Sequence, residues 1–231
     1  MPHWKPKSNV EFRQLADDLW LFGGRDPASR RGKLYYCYLI GTSAGNLMLH
    51  PPDSPAFYSD QQATIDALGG VKHIVMTHTG DVNIGWGVAW RTWRPALHGH
   101  AADIAALPAA ARVLPFTALT EHFADHEVVH LPGHTEGYVA LIGKHGPHRY
   151  LFSGHLMVQG VLGWRSTTRA RLAESGRRSI AAFEGFDVDY LMPEYVWQGD
   201  LPAGSAPFAF DKDVRRTAVR QALTALGARK A

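Results

Sequence analysis

Short apolar runs bounded by Gly, Asp, Asn or Pro recur along the first third of the chain. LWLFG (19–23), YYCYLIG (35–41) and NLMLH (46–50) are rich in aromatic and aliphatic residues and predict strands. SAG, between the second and third, supplies a hairpin turn. DQQATIDAL (60–68) then places Ala63, Ile65 and Leu68 at helical spacing behind Asp60 as N-cap, and Gly69-Gly70 closes that helix. VKHIVM (71–76) returns to strand, and HAADIAALPAAA (100–111) reads as helix until Pro108 interrupts it. EVVHL (127–131), YVALIG (138–143) and RYLFSG (149–154) predict three strands, with KHGPH as the turn between the last two. Ser166 opens a helical stretch, with a break near Gly176, and VDYLMP (188–193) is a buried strand. Residues 211–230 form an amphipathic helix with Val214, Ala218, Leu223 and Leu226 near one face, acidic at its start and basic at its end. This order suits two packed sheets or one large mixed sheet with helices outside, and periodicity leaves both open.

Composition narrows the class. The chain has 231 residues without repeat, low-complexity tract or linker, so a single domain over 1–231 is expected. Its 45% hydrophobic and 19% charged residues are the balance of a soluble globular protein. The net charge of +3 is spread out, and its densest cluster, Arg165, Arg169, Arg171, Arg177 and Arg178, reads as a solvated helix face, so no nucleic-acid partner is expected. A single cysteine, Cys37, excludes an intrachain disulfide and a Cys-based zinc site, and suits a small buried hydrophobe. No run approaches the ~18 apolar residues of a membrane span, and no signal-type core follows the N-terminus. A reducing, cytoplasmic setting without membrane contact is expected. The 13 histidines are the compositional oddity, and their placement carries the chemistry.

Four short stretches fall at predicted strand ends: Thr77-His78, LPGHTEG (131–137), FSGHL (152–156) and MPEY (192–195). Loops at the ends of buried strands are where a rigid scaffold holds chemical groups together. Together these stretches resemble the metallo-β-lactamase-fold hydrolases, from YLIGTSAGNLMLHPP to DYLMPEY. LPGHTEGYVALI followed by YLFSGHLM is the most specific part, similar to that superfamily's P-G-H-T-x-G and F-x-G-D segments in order and separation. The resemblance implies a four-layer αββα sandwich whose loops at one sheet edge bind one or two metal ions.

The departures from the pattern bear directly on function. Laid on T-H-x-H-x-D-H-x-G, residues 77–85 keep His78 and Gly85 but put Gly80, Val82 and Asn83 at three ligand positions. His134 is retained, His155 stands at the bridging aspartate, Tyr195 falls at the last histidine, and His50 replaces the acid of the opening hairpin. The resemblance therefore implies at most one metal ion, zinc by ligand type, on His78, His134 and His155. Three neutral imidazoles leave the ion's charge uncompensated and bring the pKa of bound water toward ~7. The expected activity is hydrolysis of a small-molecule ester, lactone, thioester or amide by metal-bound hydroxide. The alternative is a metal-free, inactive member that binds a small ligand, such as an anion, or a protein partner.

Further residues carry weaker expectations. Asp81 is a candidate general base, a partner for a histidine N–H, or the cap of the helix that VNIGWGVAW would start. Trp86, Arg165 and Tyr195 are candidate substrate-binding residues, with Trp86, Trp90 and Trp93 either walling a pocket or packing in the core. His98 and His100 have a metal-like H-x-H spacing, His73 reads as structural, and His145 and His148 as solvated turn residues.

Overall fold

The protein is described here by a computed structural model, which covers residues 10–25, 33–107, 113–118, 120–160, 163–197 and 208–228. In chain order the strands are β1 (Val10–Ala16), β2 (Leu19–Arg25), β3 (Lys33–Ile40) and β4 (Leu47–Leu49), followed by α1 (Pro55–Ala67) and β5 (His73–Val75). Next come α2 (Ile84–Trp93), β6 (Ala96–His100), α3 (Ala101–Ile104), β7 (Val113–Phe116), β8 (Thr120–Phe123), β9 (His126–His130), β10 (Val139–His145) and β11 (His148–Gly154). The chain ends with β12 (Met157–Gly160), β13 (Gly163–Ser166), α4 (Ala173–Ala182), β14 (Tyr190–Pro193), β15 (Tyr195–Trp197), β16 (Phe208–Ala209) and α5 (Lys212–Ala228).

Two sheets result, settling the alternative that periodicity left open. The first runs β1-β2-β3-β4-β5-β6-β7 with β15 added alongside β3, and the second runs β16-β14-β11-β10-β9-β8. The alternation of β3 shows why they stack. Tyr36, Tyr38 and Ile40 point between the sheets, where they meet Val139, Leu141 and Phe152 of the second sheet. Cys37 and Leu39 point outward against Phe57, Tyr58 and Ile65 of α1 and Ala89 of α2. A strand buried on both faces reads as a continuous apolar run, which is what YYCYLI is. The outer face of the second sheet, with Ala140, Ile142 and Leu151, packs on Ile180 of α4 and on Ala218, Ala222 and Leu226 of α5. Helix, sheet, sheet and helix thus form four layers, as the resemblance implied.

Several elements differ from the sequence expectations. Helix α1 begins at Pro55 behind Ser54, so Asp60 lies inside it; Pro at the first helical turn needs no N–H partner. Strands β12 and β13 pair antiparallel, Met157 opposite Ser166, so Ser166 ends a strand and opens no helix. Helix α4 starts at Ala173 and passes Gly176 unbroken. A Cβ on Gly176 would stand 2.3 Å from Thr168 Cγ2, and one on Gly133 would stand 2.9 Å from the Gly176 Cα. This glycine pair lets the 131–137 loop sit directly on α4. Strands β1, β7 and β8 were not anticipated: β1 and β8 are largely polar, and β7 (VLPF) carries a proline and leaves Leu114 and Pro115 exposed. Pro108 and residues 229–230 lie outside the described residues.

Candidate metal centre

One edge of the sandwich gathers the loops that follow β5, β9, β11 and β14. The Val139 N–H donates to Thr77 O at 3.0 Å, tying the two sheets together at this edge. Glu194 N–H donates to Gly154 O (3.1 Å) and Tyr36 N–H to Glu194 O (2.6 Å), fixing the end of β14 between the other two. The histidines of the resemblance converge there. The ring of His78 lies 4.9 Å from that of His134 and 4.6 Å from that of His155, and His134 and His155 stack 5.0 Å apart at 6°. Each offers one ring nitrogen, all within 4.8 Å of one another.

Contacts at the far side of each ring favour one nitrogen for a ligand. Thr167 Oγ1 donates to His155 O at 2.6 Å, so its oxygen is left to accept the Nδ1–H of His134 at 2.9 Å. His155 Nδ1 lies 2.6 Å from the Glu194 carboxylate, and His78 Nδ1 lies 3.5 Å from that of Asp81. His134 Nδ1 is hydrogen-bonded to Thr167, and the Nδ1 atoms of His78 and His155 lie beside carboxylates without a well-formed hydrogen bond at His155; proximity of this kind favours Nε2 as the atom each ring offers to a shared ligand. A tetrahedral ion with Zn–N of about 2.0–2.1 Å sets its ligand nitrogens about 3.3 Å apart. The three rings fit such an ion after drawing together by at most about 1.5 Å.

Asp81 is almost fully buried and does not cap α2. Its Oδ2 accepts the Thr77 N–H (2.7 Å), the Thr77 hydroxyl (2.8 Å) and the His78 N–H (3.3 Å), pinning the strand end that presents His78. Asn83 caps α2 instead, accepting from Trp86 N–H at 3.0 Å. Burial alone would raise the Asp81 carboxyl, but His78 and His50 hold it well below the usual range. Burial pulls His78 down, yet the Asp81 carboxylate outweighs it and lifts the ring to about 9. Burial and the neighbouring His78 and His155 pull His134 down to about 3.

Glu194 is the functional-site residue that sequence reasoning missed. It sits one position before Tyr195, where the family pattern places no ligand, and only its being the sole acid in MPEY marked it. Despite burial, which works the other way, His155, His50 and His78 hold its carboxyl at about 2. A cavity of about 260 Å³ opens on the site, walled by Tyr35, Pro52, Asn83, His78, His155 and Glu194 among others.

The remaining expectations divide. Tyr195 is 6% exposed, and its ring packs edge-on against His155 at 4.6 Å. Trp86 and Trp93 pack in the layer beneath α1 and α2, Trp93 donating to Asp66 at 2.6 Å, while Trp90 is half-exposed under the Arg94 guanidinium. Core packing thus accounts for Trp86, which does not wall the cavity. Arg165 is exposed on the β12–β13 hairpin and is not in the cavity wall either. The H-x-H pair splits: His98 contacts His73 at 3.1 Å, and His100 stacks on His130 at 3.8 Å. His145 is buried, contrary to expectation: its Nε2 is hydrogen-bonded to His126 Nε2 at 3.0 Å, and its Nδ1 lies 2.9 Å from the Asp18 carboxylate.

No family model matches the sequence, and no curated protein matches it. Solved structures match along nearly the whole chain. A metallo-β-lactamase from Hirschia baltica shares 15% identity over 92% of this chain and 97% of its own, with a TM-score of 0.66. GOB-18 from Elizabethkingia meningoseptica shares 15% over 100% and 96%, at 0.65. The class B3 di-zinc enzyme LRA-12 from an Alaskan soil metagenome shares 17% over 97% and 94%, also at 0.65. The chain has the metallo-β-lactamase fold. Its His, Asp and Glu groups at the sheet edge are candidate metal ligands, and among the described residues no helix is long and apolar enough to cross a membrane.

Proposed function

We propose that this chain is a metal-dependent hydrolase, with a divalent ion, zinc by ligand preference, held by His78, His134 and His155. The observation that carries this is the convergence of three imidazoles from separate loops, each offering a ring nitrogen within 4.8 Å of the other two. When bound, the ion supplies Lewis acidity and makes a water molecule a nucleophile at neutral pH. The chain's own groups supply the rest. Asp81 is a positioning residue: it acts through His78 and does not reach substrate. Thr167 and Glu194 hold the other two rings. Tyr195 packs against His155 and limits how far that ring can turn. The substrate is a compact ester, lactone, thioester or amide, because a cavity of about 260 Å³ lies below the ~300 Å³ at which drug-sized ligand pockets begin. Its carbonyl would enter past Tyr35, Pro52 and Asn83.

A second reading, a metal-free binder of small anions, is favoured by one observation. Without a metal, His78 stays protonated to about 9 and offers a buried cation beside the cavity. Elemental analysis of protein purified without added metal or chelator separates the two. At least one equivalent, reduced by one in His134→Ala, is the expected result. No metal, even after zinc is offered in excess, overturns the hydrolase and leaves the anion binder.

A further inference from the structure

Position by position against the family pattern, only one ion can be held. The structure brings together three more donors, none of which stands at a family ligand position. His50 follows β4, Asp81 lies in the turn after His78, and Glu194 ends β14; one donor atom from each falls within 4.8 Å of the other two. We propose that His50, Asp81 and Glu194 form a second divalent-cation subsite beside the three imidazoles.

His50 is the strongest witness. Its backbone is in the left-handed region, φ 55°, which a residue with a Cβ adopts at a cost and which recurs at ligand-binding positions. The side chain is about 1% exposed, and neither ring nitrogen has a hydrogen-bond partner. A buried ring with two unsatisfied nitrogens calls for an explanation. Nδ1 stands 3.4 Å from Glu194 Oε2 and 3.8 Å from Asp81 Oδ1. A first-row ion bound at about 2.1 Å sets adjacent ligand atoms roughly 3.0–3.4 Å apart, so little movement is needed.

Charge and access agree with this placement. Three neutral imidazoles bring no negative charge, whereas this set brings two carboxylates. His50 and Glu194 both line the cavity that reaches His78 and His155, so an ion has a path in. If His50 served only as a counter-cation, its Nδ1–H would aim at one carboxylate and its Nε2–H would need an acceptor. Nδ1 lies between two carboxylates, at 3.4 and 3.8 Å, and Nε2 has no acceptor among the described residues. Mixed nitrogen and carboxylate donors suit Zn²⁺, Fe²⁺ or Mn²⁺.

Asp81 and Glu194 also lie against His78 and His155, whereas His50 orients none of the three imidazoles, so His50 variants test this subsite alone. The test titrates chelator-stripped protein with Zn²⁺ and counts bound equivalents after desalting, with melting curves to check folding. Wild type is expected to hold two equivalents. His50→Asn, chosen because Asn tolerates the left-handed backbone, should hold one, and so should His134→Ala. His50→Gly, which also suits the left-handed backbone, should likewise hold one equivalent and decides the matter if His50→Asn fails to fold. A wild type that binds a single equivalent, lost in His134→Ala but retained in His50→Asn and His50→Gly, overturns the second subsite and leaves the proposed hydrolase standing. A single equivalent lost only in His50→Asn overturns the hydrolase site and keeps this one.

Discussion

Gly80 and His78 compete for the same space: a Cβ at position 80 would stand 2.6 Å from His78 Nε2. Position 80 is where the family pattern places its second histidine, and here the absence of a side chain makes room for the first. The substitution is therefore part of the geometry that lets His78 turn toward His134 and His155.

Gly80→Ala should swing the His78 ring away from the shared point. Gly80 is exposed and helix-flanking, so stability should change by no more than about 1 kcal/mol. Zinc affinity should fall by tenfold or more, read in a competition titration against a chromophoric chelator. Unchanged affinity would show that the His78 nitrogen is not a ligand.

Thr167→Val tests the tautomer of His134. The hydroxyl that accepts from His134 Nδ1 and donates to His155 O is lost with almost no change in volume. Orienting partners of this kind are worth about 10- to 100-fold in metal affinity. Stability should drop by about 1 kcal/mol for the lost hydrogen bonds. A variant that binds zinc as tightly as wild type shows that the hydroxyl contributes nothing beyond the Thr167 carbonyl, which lies 3.2 Å from the same Nδ1.

The metal-free protein should be most stable near pH 6.5 and weaken on both sides. His126 and His98 have folded pKa values near 4, below the ordinary 6.5, both through burial first and a neighbouring histidine second. The unfolded chain then binds protons first, so their contribution is complete above 6.5 and is lost as pH falls toward 4. His78 is shifted the other way, to about 9, so its contribution is complete below 6.5 and is lost as pH rises through 9. Asp81 and Glu194, both lowered, are stabilising above the ordinary carboxylate range and add to the acid loss at still lower pH. For His126, which is 1% exposed, the acid limb amounts to on the order of 3 kcal/mol. Melting temperatures of chelated protein across pH 4–10 should trace this dome, and His126→Leu should flatten its acid side. A flat profile below 6.5 in wild type would contradict the buried neutral state of His126.

Much of the fold was legible because burial writes itself into local pattern. YYCYLI announced a strand covered on both faces, and the Val214–Leu226 face announced a packed helix. The P-G-H-T and F-S-G segments located two loops of the site: Gly133 is needed where its loop touches α4, and Gly154 where the backbone turns left-handed against Tyr138. Strands β7 and β8 stayed hidden, because edge strands held by backbone hydrogen bonds need no apolar alternation. His145 was misread as solvated for a similar reason: its partners, Asp18 and His126, are distant in sequence.

Taken alone, the sequence determined the four-layer architecture and named His78, His134 and His155 as a possible ligand set. Only the tertiary structure decided that these rings meet, which nitrogen each presents, and that Glu194 and His50 stand beside them. The physical reason is that local pattern reports which residues are buried, whereas a coordination site depends on ångström-scale distances between strand ends far apart along the chain.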